Sequence, residues 1–175
     1  MKFVITLLGS DRLGIVESFS KTVADHNGAW CESRIMQVEG QFAGVFLAEV
    51  PAESSDAFES SLEGSFQPEF HLAVVRSKGH EESTSTRHPF EITILCSDRP
   101  GLVHEFAQLC TARKINILEL QTNLRPAAMT GLLMFEIEAT GDSHEPLDQS
   151  KFAAVFEALG DDVVVDFVNA VYMST

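Results

Sequence analysis

Hydrophobic residues at every second position open the chain: Phe3, Ile5 and Leu7 share one face of residues 2–8, the period of a half-buried strand. The spacing then changes. Ile15, Val16, Phe19 and Val23 recur at helical intervals, and Asn27-Gly28 supplies a helix stop. Two β-rich stretches follow, 30–38 and 42–50, joined by Glu39-Gly40 as a tight hairpin turn, and Pro51 ends the second. A second helix is predicted over 56–62, where Phe58 and Leu62 lie four apart, and 70–75 closes the set as a fourth strand.

The same order returns in the rest of the chain. Residues 90–95 read as a strand, and Leu102, Val103, Phe106, Leu109 and Cys110 mark a helix. A hairpin is predicted from 116–124 and 132–139; Phe152, Val155, Phe156 and Leu159 form one helix face, and 163–172 is the last strand. A gapless shift of 87 positions aligns the halves. It superposes Phe3 on Phe90, Ser10-Asp11-Arg12 on Ser97-Asp98-Arg99, Gly14 on Gly101, Phe19 on Phe106, Glu32 on Glu119, Gly44 on Gly131 and Glu49 on Glu136. In all, 13 identities fall between Phe3 and Glu49, about four times the chance rate. Between the halves, Ser, Thr and charged residues without a single hydrophobe form a linker at 78–88. The domains expected are therefore 1–77 and 89–175. Each reads βαββαβ, an α+β class: two tandem ferredoxin-like domains, each an antiparallel four-stranded sheet with two helices on one face.

Composition narrows what such a protein does. The 175 residues are 45% apolar, enough for two cores. Lys and Arg number 12 against 26 Asp and Glu, a formal net charge of −14, and no basic run occurs. Direct nucleic-acid binding needs clustered cations to neutralise phosphates, and none is present. The acidic balance fits solubility, or docking on a basic partner protein. The apolar N-terminal run is too short to span a membrane and lacks a cleavage site, so a cytoplasmic protein is expected. Cys31, Cys96 and Cys110 match no zinc or CxxC spacing and are expected as buried free thiols.

The turn after each first strand is the main chemical candidate. Ser10-Asp11-Arg12-Leu13-Gly14 and Ser97-Asp98-Arg99-Pro100-Gly101 precede a helix N-terminus, which offers unpaired N–H groups and a positive dipole end. Gly14 and Gly101 let a ligand approach the backbone. Pro100 fits the first helical position, and the carboxylates of Asp11 and Asp98 are placed to brace the turn. The result is a niche sized for a carboxylate. A plain capped turn has the same sequence, and duplication copies structural turns as readily as binding ones.

Asp-Arg-x-Gly-(Ile/Leu)-Val after a first strand, inside βαββαβ, resembles the ACT domain. Ala29-Trp30-Cys31-Glu32-Ser33-Arg34-Ile35-Met36 and Gly40-Gln41-Phe42-Ala43-Gly44, in a tandem arrangement, are similar to the glycine cleavage system transcriptional repressor family. The resemblance implies a free-standing ACT pair that senses a small amino acid, glycine or serine, and modulates a partner transcription factor, as a homodimer. It places the ligand between the first turn and the start of the second strand, often at an interface between domains. Carried over, the ligand-binding residues are Asp11, Arg12, Leu13, Gly14 and Ile15; Asp98, Arg99, Pro100, Gly101 and Leu102; and Asn116 with Ile117. The departures are Ala29 where the second half has Asn116, Leu13 in place of the family's proline, and Arg113-Lys114-Ile115 without the glycine that often precedes Asn-Ile.

No catalytic constellation competes. Glu32 and Glu119 read as exposed strand carboxylates, with Arg34 a partner for the first. The six histidines show no metal spacing and read as surface residues, and Trp30 reads as core or an interface anchor. No phosphate loop, dinucleotide fingerprint or nucleophile elbow is present, so neither cofactor nor metal is expected. An acylphosphatase-like enzyme using Arg99 and Asn116 shares the βαββαβ order, but Asp98 and Pro100 stand where a glycine-rich phosphate cradle is needed. A ligand-free interaction module remains open beside the sensor.

Overall fold

The computed structural model describes residues 1–77, 79, 86–126, 132–158, 160 and 162–168. Its first half runs β1 (Lys2–Ser10), α1 (Ile15–Asp25), β2 (Ala29–Val38), β3 (Gln41–Glu49), a 3-10 turn at Ala52–Ser54, α2 (Ser55–Phe66) and β4 (Phe70–Ser77). The second runs β5 (His88–Ser97), α3 (Leu102–Ala112), β6 (Ile115–Pro126), β7 (Leu133–Ser143), α4 (Gln149–Glu157) and β8 (Val164–Val168). Each forms an antiparallel four-stranded sheet, ordered β2-β3-β1-β4 and β6-β7-β5-β8. The chain divides into two units, Met1–Glu82 and Ser83–Thr175. This is the α+β, ferredoxin-like repeat that the patterning predicts.

Alternation along β1 explains the first core. Phe3, Ile5 and Leu7 are buried under α1 and α2, against Phe19, Val23, Phe58, Leu62 and Phe66. Phe19 stacks on Phe46 with centroids 4.2 Å apart, and Trp30 meets the two rings edge-on at 5.2 and 5.4 Å. Trp30 thus belongs to the core, and each aromatic of this set adds about 1.5–3 kcal/mol by leaving water. Phe90, Ile92, Ile94, Phe106, Cys110, Phe152 and Phe156 do the same in the second unit.

Several boundaries differ from the sequence reading. β5 starts at His88, inside the expected linker, and Pro89 is paired opposite Asp142. Proline is tolerated there because it stands next to the first residue of the strand. Leu159, most of the linker and residues 169–172 of the expected last strand lie outside the described residues. The left-handed residue ending α1 is Asn27 (φ 54°), not Gly28, and Lys114 (φ 56°) repeats it after α3.

The hairpins break the repeat. Val38 and Gln41 pair across Glu39-Gly40, both at positive φ as a tight hairpin turn requires. Their counterparts Arg125 and Met134 pair across residues 126–133. The insertion moves the repeat from a shift of 87 to about 93, so Gly44, opposite Leu7, corresponds to Ile137, opposite Ile94. The Gly44/Gly131 and Glu49/Glu136 matches are therefore coincidences of the gapless alignment.

Both second strands bulge at one repeat position. Register slips between Trp30 and Glu32, and between Ile117 and Glu119. Cys31 and Leu118 are the extra residues and both are exposed, so Cys31 is not the buried thiol expected. Cys96 and Cys110 are buried.

The helix-free faces of the two sheets differ. In the first unit Val4, Leu8, Met36, Val45 and Val75 stand exposed on it. The corresponding face of the second unit carries Glu91, Glu136, Glu138 and Asp166, with Arg125 folded onto Glu136.

Candidate functional site: the two glycine turns

Each turn is built on a glycine in the left-handed region. Gly14 (φ 90°, ψ 2°) and Gly101 (φ 96°, ψ −5°) are the N-caps of α1 and α3, and neither helix has a side-chain cap. The first helical hydrogen bonds run from Ser18 N–H to Gly14 O (2.8 Å) and from Glu105 N–H to Gly101 O (2.9 Å). The amides of Ile15, Val16 and Glu17, and of Leu102, Val103 and His104, precede those bonds and find no acceptor within their own helix. With the helix dipole behind them, they can receive a carboxylate.

Two local expectations fail. Asp11 and Asp98 are exposed and do not cap, because glycine occupies the cap position. The Asp11 backbone N–H instead donates to Gly40 O at 2.9 Å, tying the turn to the hairpin tip. Pro100 precedes the cap residue Gly101 and so does not occupy the first helical position, which is Leu102. Ile15 and Leu102 are buried core residues, leaving only their amides for a ligand, while Leu13 is 99% exposed.

The arginines are committed differently. Arg12 lies 3.2 Å from Glu69 and over the Phe70 ring, 5.5 Å from its centroid. Arg99 grips Glu105 with two hydrogen bonds of 2.8 and 2.6 Å, which holds the Glu105 carboxyl below the usual range. Glu105 Oε1 lies 4.0 Å from where a Cβ on Gly101 would stand, so the second niche already faces a carboxylate. Its repeat counterpart is Ser18, and the first turn has no such clamp. Asp162 also escaped the sequence reading: it accepts the Ser97 N–H at 2.8 Å, which lowers its own pKa. Neither acid belongs to a motif, and only the folded turn brings it near.

Asn116 and Ile117 do not join this site within their own unit. Asn116 faces Asp142, which in turn faces Pro89, whereas the turn leaves β5 at Ser97, opposite Met134. Pro89 to Ser97 is eight residue steps, about 26 Å of strand. Asn116 and Gly101 occupy opposite ends of the sheet. In the first unit, Ala29 and the Gly14 turn are separated in the same way, Ala29 being level with Lys2.

The remaining candidates fall into ordinary structural roles. Glu32 pairs with Arg34 at 3.3 Å as expected. His26, expected on the surface, is half-buried with Nδ1 2.8 Å from Thr22 O and Nε2 3.2 Å from Ser61 Oγ. Among the described residues no cluster of His, Cys, Asp or Glu is placed to hold a metal, and no helix is long and apolar enough to cross a membrane.

Comparison with known proteins agrees with this architecture. The family model of the ACT domain matches residues 2–74. The glycine cleavage system transcriptional repressor of Escherichia coli (strain K12) is 26% identical over 162 residues, covering 89% of this chain and 82% of the relative. A UPF0237 protein of Methanosarcina mazei is 34% identical over 89 residues, 50% of this chain and 94% of that protein. Among solved structures, an unknown protein from Galdieria sulphuraria superposes with a TM-score of 0.81 at 26% identity, covering 95% of this chain and 96% of the other. Residues 2–74 are an ACT domain, the second unit repeats its topology, and this tandem is similar to the glycine cleavage system transcriptional repressors and, over half its length, to the UPF0237 proteins.

Proposed function

We propose that the chain is a non-catalytic regulator that senses a small amino acid, glycine or serine, at its glycine turns and so modulates a partner transcription regulator of glycine and one-carbon metabolism. The observation that carries this reading is the pair of uncapped helix N-termini behind Gly14 and Gly101. Similarity to a glycine cleavage repressor supports the pathway. The ligand carboxylate sits on the first-turn amides and its ammonium on backbone carbonyls. Exclusion by overlap selects small side chains.

Because Asn116 lies at the far end of its own sheet, it contributes to such a ligand only by meeting a turn outside its own unit. The homodimer expected from the sequence would supply one such turn, and the apolar outer face of the first sheet supports self-association. Ligand shifts the equilibrium between assemblies, or between partner-bound and free chain, only by its differential affinity for the two states.

A second reading holds for the second turn alone. The Arg99–Glu105 clamp already supplies a carboxylate there, which favours a structural role for that turn and sensing by the first. A thermal-shift screen against the twenty amino acids tests both readings. Ligand at a hundred times its dissociation constant adds about 2.7 kcal/mol. Stabilisation by glycine or serine, lost on Gly14→Asn and retained in Gly101→Asn, would assign sensing to the first turn. Stabilisation by no amino acid would leave an interaction module.

A further inference from the structure

The end of the second unit away from Gly101 carries a cleft of about 540 Å³ between the end of α3, the start of β6 and the β7–α4 connection. Its volume falls within the roughly 300–1,000 Å³ of small-molecule sites. Arg113, Lys114 and Lys151 line it, in a chain with only 12 Lys and Arg and a net charge of −14. Lys151 is neutralised by Asp148 at 2.9 Å. Arg113 is not neutralised: it donates to Leu109 O at 3.3 Å and lies 5.9 Å from the centre of the Phe152 ring, with no carboxylate in ion-pair range among the described residues. A guanidinium has five N–H donors in a planar fork, and this one is held on an aromatic face with most of them unused.

Its neighbours add to the case. Lys114 holds φ 56°, a conformation that Asn tolerates better, and its repeat counterpart is Asn27. The counterpart of Arg113 is His26, whose two ring nitrogens are taken by Thr22 and Ser61. The cationic pair is therefore particular to the second unit. The opposite wall is fixed: buried Ser143 donates to Glu145 O at 2.6 Å, and the Asp148 carboxylate caps α4 by accepting the Lys151 N–H at 3.1 Å. Ile115 and Phe152 give the cleft an apolar floor.

We propose that this cleft binds a small monocarboxylate, alone or as a zwitterion, with its carboxylate on Arg113 and Lys114 and its carbon skeleton against Phe152 and Ile115. Glu145, also lining the cleft, disfavours polyanions and suits an ammonium on the same molecule. The site lies at the opposite end of its unit from the Gly101 turn and does not depend on sensing at the turns.

Calorimetric titration of the full chain with butyrate, with each of the twenty amino acids and with inorganic phosphate tests the proposal. We expect saturable binding of butyrate or an amino acid, weakened about tenfold or more by Arg113→Met, as loss of a charge-assisted bidentate contact predicts. Lys114→Gln should weaken it less, and phosphate should not compete. Circular dichroism and melting of each variant separate lost binding from lost folding. Binding of butyrate through Arg113 without any amino acid would keep the cleft and sink amino-acid sensing. An amino acid bound equally well by Arg113→Met and lost in Gly14→Asn would overturn the cleft and keep the sensor. No saturable carboxylate binding at all would overturn both.

Discussion

At Gly14 an added Cβ would meet nothing within 4 Å, so substitution there is opposed by backbone conformation rather than by crowding. Gly14→Ala should cost about 1–2 kcal/mol of stability, the penalty of the left-handed region for an L-residue. Gly14→Asn should cost less, because Asn visits that region. Urea unfolding of the two variants measures the difference, and equal costs would point to a clash instead of strain. The glycines were legible because only one residue type suits that backbone. The thiols were less so. Cysteine usage alone pointed to a buried Cys31, but a bulge consumes that residue and leaves it exposed. Burial raises the Cys96 pKa and pushes Cys110 up to about 11. An aromatic disulfide reagent at neutral pH should therefore modify Cys31 fast and the other two only after unfolding. Three thiols reacting together in the native protein would contradict the packing.

At the scale of elements, α1 is held by Phe19, which touches Phe46, Trp30 and Phe66. Phe19→Ala should destabilise the first unit by about 3–5 kcal/mol, read as a lower denaturant midpoint for a Trp30 fluorescence signal. The helix–strand order could be read from periodicity, since the amphipathic faces follow the 3.6 and 2 periods directly. The lengthened second hairpin could not. A gapless alignment scored two chance identities across it, and only the strand register exposes the insertion. The Arg99–Glu105 clamp was equally hidden, because the two residues belong to a turn and a helix that meet only on folding. Its pH dependence has a definite sign. The folded Glu105 carboxyl titrates below its ordinary value, so the contribution is present above that value and lost as pH falls through the lowered one. Following the Glu105 side chain by NMR should show a depressed midpoint that returns to normal in Arg99→Met.

For the whole molecule, the contrast between the two outer sheet faces decides how it can associate. A net charge of −14 opposes self-association through any charged surface. The exposed face around Val4, Val45 and Val75 is apolar, and its counterpart in the second unit carries Glu138 where the first has Val45. Val45→Glu should shift a dimer toward monomer in sedimentation at micromolar concentration, whereas Glu138→Gln should not. A wild-type monomer would remove the dimer. The regulatory role proposed for the molecule requires that the uncapped glycine turns receive an amino acid. Calorimetry of glycine and serine in the Arg113→Met background, with the turns intact or carrying the Gly14→Asn, Gly101→Asn double variant, tests it most directly. Sensing at the turns predicts saturable binding while both glycines are intact and none to a double variant that still folds. Binding that survives in the double variant would place the ligand elsewhere and contradict it.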